Sequence, residues 1–261
     1  MIAGLAELPE VGPGHFRGEF DASWNQGPGT FGGLLSATLG RCLERVAGEG
    51  GRRTVRALSV HLCAPAEPGP LDVRVVVERK GAAVTYASAR IERDGLPLVL
   101  ATATLASGRT EDADFDRATP PDLHPVERLP DLGTAPGVPV FTQHFAFRFS
   151  EGVPFTGGAN ARSAGWLRPR VDEPLTTPLA LALLDAWPLA VLPMLPRPRP
   201  AASVAIHFQL FAPLATQSDG WYRTLVTSDL NRQGYSDQVN AVWDASGRLI
   251  GRSHQLVAIV R

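Results

Sequence analysis

The spacing of hydrophobic positions changes period along this chain, and the order of changes occurs twice. From Phe31-Gly32-Gly33 onward, Leu34, Leu35, Leu39, Cys42, Leu43 and Val46 recur at three- and four-residue steps, as on one face of a helix. The spacing predicts a helix of about three to four turns. Past the glycines at 48–51 the alternation drops to two residues, through 55–62, 71–78, 84–92 and 98–105. Asp94-Gly95 separates the last two runs and reads as a hairpin turn, where glycine adopts positive φ cheaply. Ahead of the helix, an opening strand is expected around residues 20–24 and a turn over 25–30.

Residues 107–139 are crowded with Asp, Arg, Gly and Pro and carry no periodic hydrophobics, so they read as a linker. The order then returns: strand-like runs at 143–149 and 159–168, a helix over 177–192 that Pro188 should kink or end early, and strands from Ser203 onward. The repetition extends to residues. Ser59-Val60-His61-Leu62-Cys63-Ala64-Pro65 corresponds to His207-Phe208-Gln209-Leu210-Phe211-Ala212-Pro213, an offset of 148 (213 − 65), and Arg74, Val77 and Tyr86 match Arg223, Val226 and Tyr235 at 149. A repeat this long is a whole half-domain rather than a solenoid unit. The division expected is a first unit over 1–110, a linker over 111–139 and a second unit over 140–261. Each unit, a long apolar helix followed by an antiparallel meander, buries its apolar faces best as a curved sheet wrapped round its helix, and two such units would pair through sheet edges. The fold class is therefore α+β, two tandem units of the kind called a hot dog.

Composition narrows the function. The chain is 44% hydrophobic and 20% charged with a formal net charge of −1, which leaves no global basic field for nucleic acid or an anionic membrane. No segment approaches the roughly 20 apolar residues of a membrane-spanning helix, and the first ten residues lack the features of a secretory signal, so a cytoplasmic location is expected. The two cysteines, Cys42 and Cys63, show no metal-ligand spacing and read as buried small hydrophobes. No metal site is expected.

Several motifs in this order resemble one family. Phe31-Gly32-Gly33 before the first helix, the strand end from His61 to Pro65, Gly165-Trp166-Leu167-Arg168 ahead of the second helix, Leu184-Asp185, Ala202-Ser203-Val204 and Ser253-His254-Gln255 are together similar to the type II acyl-CoA thioesterases, double hot-dog enzymes. The resemblance runs from about Phe16 to the C-terminus. It implies that Asp185, Ser203 and Gln255 hold a water that attacks the thioester carbonyl, with Gly32, Gly33, His61 and Trp166 as substrate-binding candidates. The substrate would be an acyl-CoA, with no cofactor beyond the coenzyme A that it carries, and a homodimer of double hot dogs is expected. The chain departs from the family pattern after Ser203, where Val204-Ala205-Ile206-His207 replaces the usual Asp-His continuation.

The residue types suit that chemistry without the family. Thioester hydrolysis needs an oriented water, a base for its proton and donors for the developing oxyanion. A carboxylate at position 185, among Leu184 and Ala186, is a candidate base: burial raises its pKa, while hydrogen bonds from the water, Ser203 and Gln255 stabilise the charged form, and the sequence does not fix the net sign. No GxSxG nucleophile elbow surrounds Ser203, so it is suited to holding water rather than attacking. Oxyanion donors are expected from the amides at a helix start. Each residue has a plainer alternative: Asp185 on an exposed helix side, Ser203 as a strand-start residue, Gln255 facing solvent, His61 and His207 as satisfied histidines, and Gly32 and Gly33 easing a tight entry to the helix. Arg197-Pro198-Arg199 could meet coenzyme A phosphates or be a solvated loop. The five tryptophans read as core or interface anchors. Two other functions stay open: a non-catalytic acyl-CoA or acyl-carrier binder, and a hot-dog enoyl-CoA hydratase.

Overall fold

The computed structural model of the protein describes residues 1–109, 112–211 and 220–259. In chain order its elements are α1 (Ile2–Leu5), β1 (Glu10–Gly12), β2 (His15–Phe20), β3 (Asn25–Gln26), β4 (Gly29–Thr30), α2 (Gly32–Ala47), β5 (Thr54–Leu62), β6 (Gly69–Lys80), β7 (Val84–Arg93), β8 (Leu96–Ala106), β9 (Phe145–Glu151), β10 (Arg162–Pro169), α3 (Thr177–Ala186), β11 (Ala201–Leu210), β12 (Tyr222–Thr227), β13 (Asn231–Arg232), β14 (Tyr235–Trp243) and β15 (Leu249–Ile259). Asp94 and Gly95 both take positive φ (52° and 78°), as the hairpin between β7 and β8 requires.

The opening strand lies earlier than expected. It ends at Phe20, because the Asp21 side chain accepts from Ser23 N at 2.7 Å and starts a 3-10 turn, Ala22–Trp24, in place of a strand. Another 3-10 turn, Val140–His144, precedes β9. The second long helix stops at Ala186 rather than 192. Trp187, the residue before Pro188, is already extended (ψ 138°), since the proline ring disfavours α geometry in its predecessor. Cys42 is buried as expected, but Cys63 is exposed, lying just past the end of β5.

Thirteen strands form one antiparallel sheet in the order β1-β2-β6-β7-β8-β5-β11-β15-β14-β12-β10-β9, with β13 on β14. The two halves mirror each other about the β5·β11 seam. There Ser59 pairs with His207. These are repeat equivalents at offset 148, so they face each other on a pseudo-two-fold axis, with Ser59 Oγ and His207 Nδ1 2.8 Å apart. Even the irregularities are repeated: register shifts at Val55/Ala57 and Ile91/Glu92 recur at Ser203/Ala205 and Val242/Trp243.

Pairing across the seam therefore fixes the equivalences. Leu58 pairs with Ala103 as Ile206 does with Gln255, and Val73 with Ile91 as Thr224 does with Val242. The later strands thus correspond at offsets of 151 to 152, and the matches of Arg74, Val77 and Tyr86 at 149 are two residues out of register. A two-residue slip leaves every side chain on its own face, which is why the sequence pattern tolerated it. Ala212, Pro213 and Val260, which the sequence placed in the repeated strands, lie outside the described residues.

Helices α2 and α3 pack antiparallel on the inner face. Every residue of α3 from Thr177 to Leu184 is buried, as its unbroken apolar sequence demands, whereas α2 keeps a half-buried face with Arg41, Glu44 and Arg45. Glu44 of α2 reaches the start of α3, accepting from Thr177 Oγ1 at 2.6 Å and from Val55 N at 3.0 Å. Burial pushes its pKa up. Residues 112–139 run as a strap on the outer face of the second unit: Ala118, His124 and Val126 carbonyls accept from Trp243 Nε1 (2.9 Å), Trp166 Nε1 (3.0 Å) and Arg148 Nη1 (2.7 Å).

Candidate active site

The site begins with a missing hydrogen bond. A helix running past Ala186 would bond Leu184 O to the N–H of residue 188, but Pro188 has none. The sheet supplies donors instead: Asn240 Nδ2 and Ser253 Oγ reach Leu184 O at 2.8 and 2.9 Å. Thr224 Oγ1 donates to Asn240 Oδ1 at 3.2 Å, and Gln238 Oε1 accepts from Ala190 N at 2.7 Å just beyond the helix. The end of α3 is thereby clamped to β14 and β15 at the residue before Asp185.

Ser203 and Gln255 come to that carboxylate by different routes. Simple alternation back from the buried Ile206 would turn Ser203 outward. The bulge at Val204 inserts one residue, so that Ser203 pairs with the buried Val257 while Ala205 pairs with the exposed Leu256. Ser203 consequently faces inward. Gln255 follows the plain alternation of β15 and is buried. Its Oε1 accepts from Ser203 Oγ at 2.6 Å and its Nε2 donates to Asp185 Oδ1 at 3.1 Å. The three side chains form a linear relay in which the serine touches Asp185 through the amide alone.

The first unit closes the site from the other side. Phe31 provides no side-chain cap to α2, and the Gly33 amide faces the Asp185 carboxylate and works to lower its pKa. The carboxylate thus occupies the electropositive helix start. A methyl group on Gly32 would stand 2.8 Å from Asp185 Oδ2, and one on Gly33 would strike the Phe31 ring at 2.2 Å. Gly32 thus leaves room for the carboxylate, and Gly33 for the Phe31 ring. Phe31 stacks on Phe141 with centroids 4.1 Å apart, and Phe145 packs edge-on to both, tying the second unit to the start of α2. Burial is the dominant influence on Asp185 and pushes its pKa up to about 7, against the opposing influence of the Gln255 hydrogen bond and the Gly33 amide. A carboxyl poised there exchanges protons readily near neutrality.

Two substrate-binding candidates lie elsewhere. His61 is exposed on the outer face of β5, because the inward positions of that strand are Leu58 and Val60. Trp166 also faces outward, under the strap at His124. Neither joins Asp185. Arg197-Pro198-Arg199 is an exposed loop. The residues that sequence reading missed are Gln238, Asn240, Ser253 and Thr224, all buried on the inner face. Their equivalents in the first unit are Ala87, Ala89, Ala101 and Val73, and those of Ser203 and Gln255 are Val55 and Ala103. One copy is apolar where the other is polar, and that contrast was available to a correctly registered alignment of the halves.

Comparison with known proteins identifies the family. A model of the acyl-CoA thioesterase C-terminal domain matches residues 119–259, and one of the N-terminal domain matches 20–106. The chain belongs to the acyl-CoA thioesterase family. No curated protein sequence matches it. Among solved structures it is similar to a hot-dog protein of unknown function from Alicyclobacillus acidocaldarius, with 25% identity, 100% and 98% of the two chains covered and a TM-score of 0.89. A tesB protein from Mycobacterium avium subs paratuberculosis is 17% identical at a TM-score of 0.81, again over 100% and 98%. The acyl-CoA thioesterase II TesB2 of Mycobacterium marinum is 15% identical at 0.79, with the same coverage. The fold is a double hot dog, and the protein is a thioester hydrolase. Among the described residues no helix is long and apolar enough to cross a membrane.

Proposed function

We propose that the protein hydrolyses acyl-CoA to a free carboxylic acid and coenzyme A, using a water activated by Asp185 and held by Ser203 and Gln255. The observation that carries this reading is the Ser203–Gln255–Asp185 relay set against the amides that start α2. Ionised Asp185 takes a proton as the water oxygen bonds to the thioester carbon, and amides at the start of α2 stabilise the resulting oxyanion. When the C–S bond breaks, the carboxyl returns the proton to the departing thiolate. The scheme requires no metal and no cofactor other than the coenzyme A of the substrate. We also read residues 1–110, 111–139 and 140–261 as first unit, linker and second unit, and the homodimer and cytoplasmic location as part of the same proposal.

The test is release of free thiol from a panel of acyl-CoA substrates by the purified protein. Asp185→Asn should abolish release while acyl-CoA still raises the melting temperature. Stabilisation by acyl-CoA with no thiol from the wild type would instead favour a binding protein, and loss of crotonyl thioester absorbance without thiol release would favour a hydratase.

A further inference from the structure

The outer face of the second unit, on the side of the sheet away from Asp185, carries arginines that no carboxylate among the described residues pairs. Arg148 on β9 and Arg223 on β12 flank Trp166 on β10 as direct cross-strand neighbours. Arg168, two residues along from Trp166 on the same face, shares the Trp221 ring with Arg148: the guanidinium carbons lie 4.9 and 5.3 Å from its centroid. Arg223 lies 5.2 Å from the Trp166 centroid. The nearby Arg162 and Arg170 are paired with Glu151 and Asp131 at 2.8 and 2.6 Å. Among the described residues, Arg148, Arg168 and Arg223 have no such partner, and the Nε atoms of all three lack an acceptor. Asp172 stands across Gly220 from Arg168, outside ion-pair distance.

The repeat supplies the control. By register, Trp166, Arg168 and Arg223 correspond to Arg17, Glu19 and Asp72. In the first unit the charges cancel, with Asp72 accepting from Arg17 at 3.0 Å and from His15 at 2.5 Å. Two carboxylates of one copy stand as two arginines in the other. Adjacent strands lie only about 4.8 Å apart, so like charges gathered here repel unless an anion joins them. Guanidinium forks match the geometry of phosphate oxygens, and the indole faces hold the guanidinium planes in place.

We propose that Arg148, Arg168 and Arg223, held on the rings of Trp166 and Trp221, form a binding site for a phosphate-type oxyanion, separate from the site around Asp185. The oxyanion is either a small inorganic phosphate or the phosphate of a nucleotide. Because two tryptophans belong to the site, their fluorescence reports occupancy. The protein is titrated with inorganic pyrophosphate and with adenosine 3′,5′-bisphosphate, against potassium chloride at matched ionic strength. A saturable change with either phosphate compound, absent with chloride, is expected; equal responses identify a small-anion site, and tighter binding of the adenosine compound a nucleotide site. Arg168→Gln combined with Arg223→Gln should weaken binding at least tenfold. Arg223→Asp, which restores the residue type of the first unit, should abolish it while circular dichroism stays native. No saturable response in the wild type, or unchanged affinity in both variants, overturns the proposal.

Discussion

At the scale of single residues, the site depends on a carboxyl group held where its charged form is disfavoured. Because the pKa of Asp185 is raised to about 7, the native state binds a proton that the unfolded chain releases near the ordinary carboxylate value of 3.8. Stability contributed by this group is therefore present at low pH and lost as pH rises through about 7. In the proposed mechanism catalysis has the opposite dependence, since only ionised Asp185 can accept a proton. The rate of thiol release should rise with unit slope up to pH about 7 and then level off, and Asp185→Asn should gain more in melting temperature at pH 8 than at pH 4. For a domain of this size, 1 kcal/mol corresponds to about 2–4 °C. Equal gains at both pH values would contradict the buried-carboxyl account. Gly32 gives a second test. Alanine at this position suits the helix but its methyl would stand 2.8 Å from Asp185 Oδ2, so Gly32→Ala should keep or raise the melting temperature and lower kcat about tenfold or more.

At the scale of elements, the end of α3 is held by the sheet rather than by its own hydrogen bonds. Asn240 and Ser253 share Leu184 O, so removing one leaves the other to satisfy it. Single alanine substitutions should cost about 1 kcal/mol each in urea unfolding, and the double variant more than their sum. Simple additivity would mean that the carbonyl finds another donor. At the opposite end of the helix pair, Glu44→Ala strands Thr177 Oγ1 and Val55 N. It should destabilise by about 1–3 kcal/mol while the folded fraction keeps its kcat, because Glu44 lies at the end of α2 far from Gly32.

At the scale of the molecule, neither unit holds the whole candidate site. Asp185, Ser203 and Gln255 belong to the second, and the glycines that receive the carboxylate belong to the first. One sheet crosses the seam and α2 packs on α3, so both units should unfold in a single calorimetric transition, with no separate melting of either. A fragment spanning 140–261 should show no thiol release even where it remains in solution. Mixing it with a fragment of the first unit would restore activity only if the β5·β11 edges re-pair.

The sequence by itself determined the elements of each half and their duplication, because burial of an apolar stripe fixes the period of each segment, while the three residues of the relay came from the family resemblance. The α2 helix, the hairpin at Asp94-Gly95 and the break at Pro188 all rest on such local rules. Facing was decided only by the tertiary structure. Gln238 and Asn240 alternate along β14 like a solvent face, yet they are buried, because the carbonyl and amide groups at the end of α3 need partners there. Ser203 turns inward through a bulge that no local pattern marks, while His61 and Trp166 turn outward through ordinary alternation. Periodicity reports which positions share a face; which face meets the helix depends on pairing between strands and on the hydrogen bonds that the covered backbone lacks.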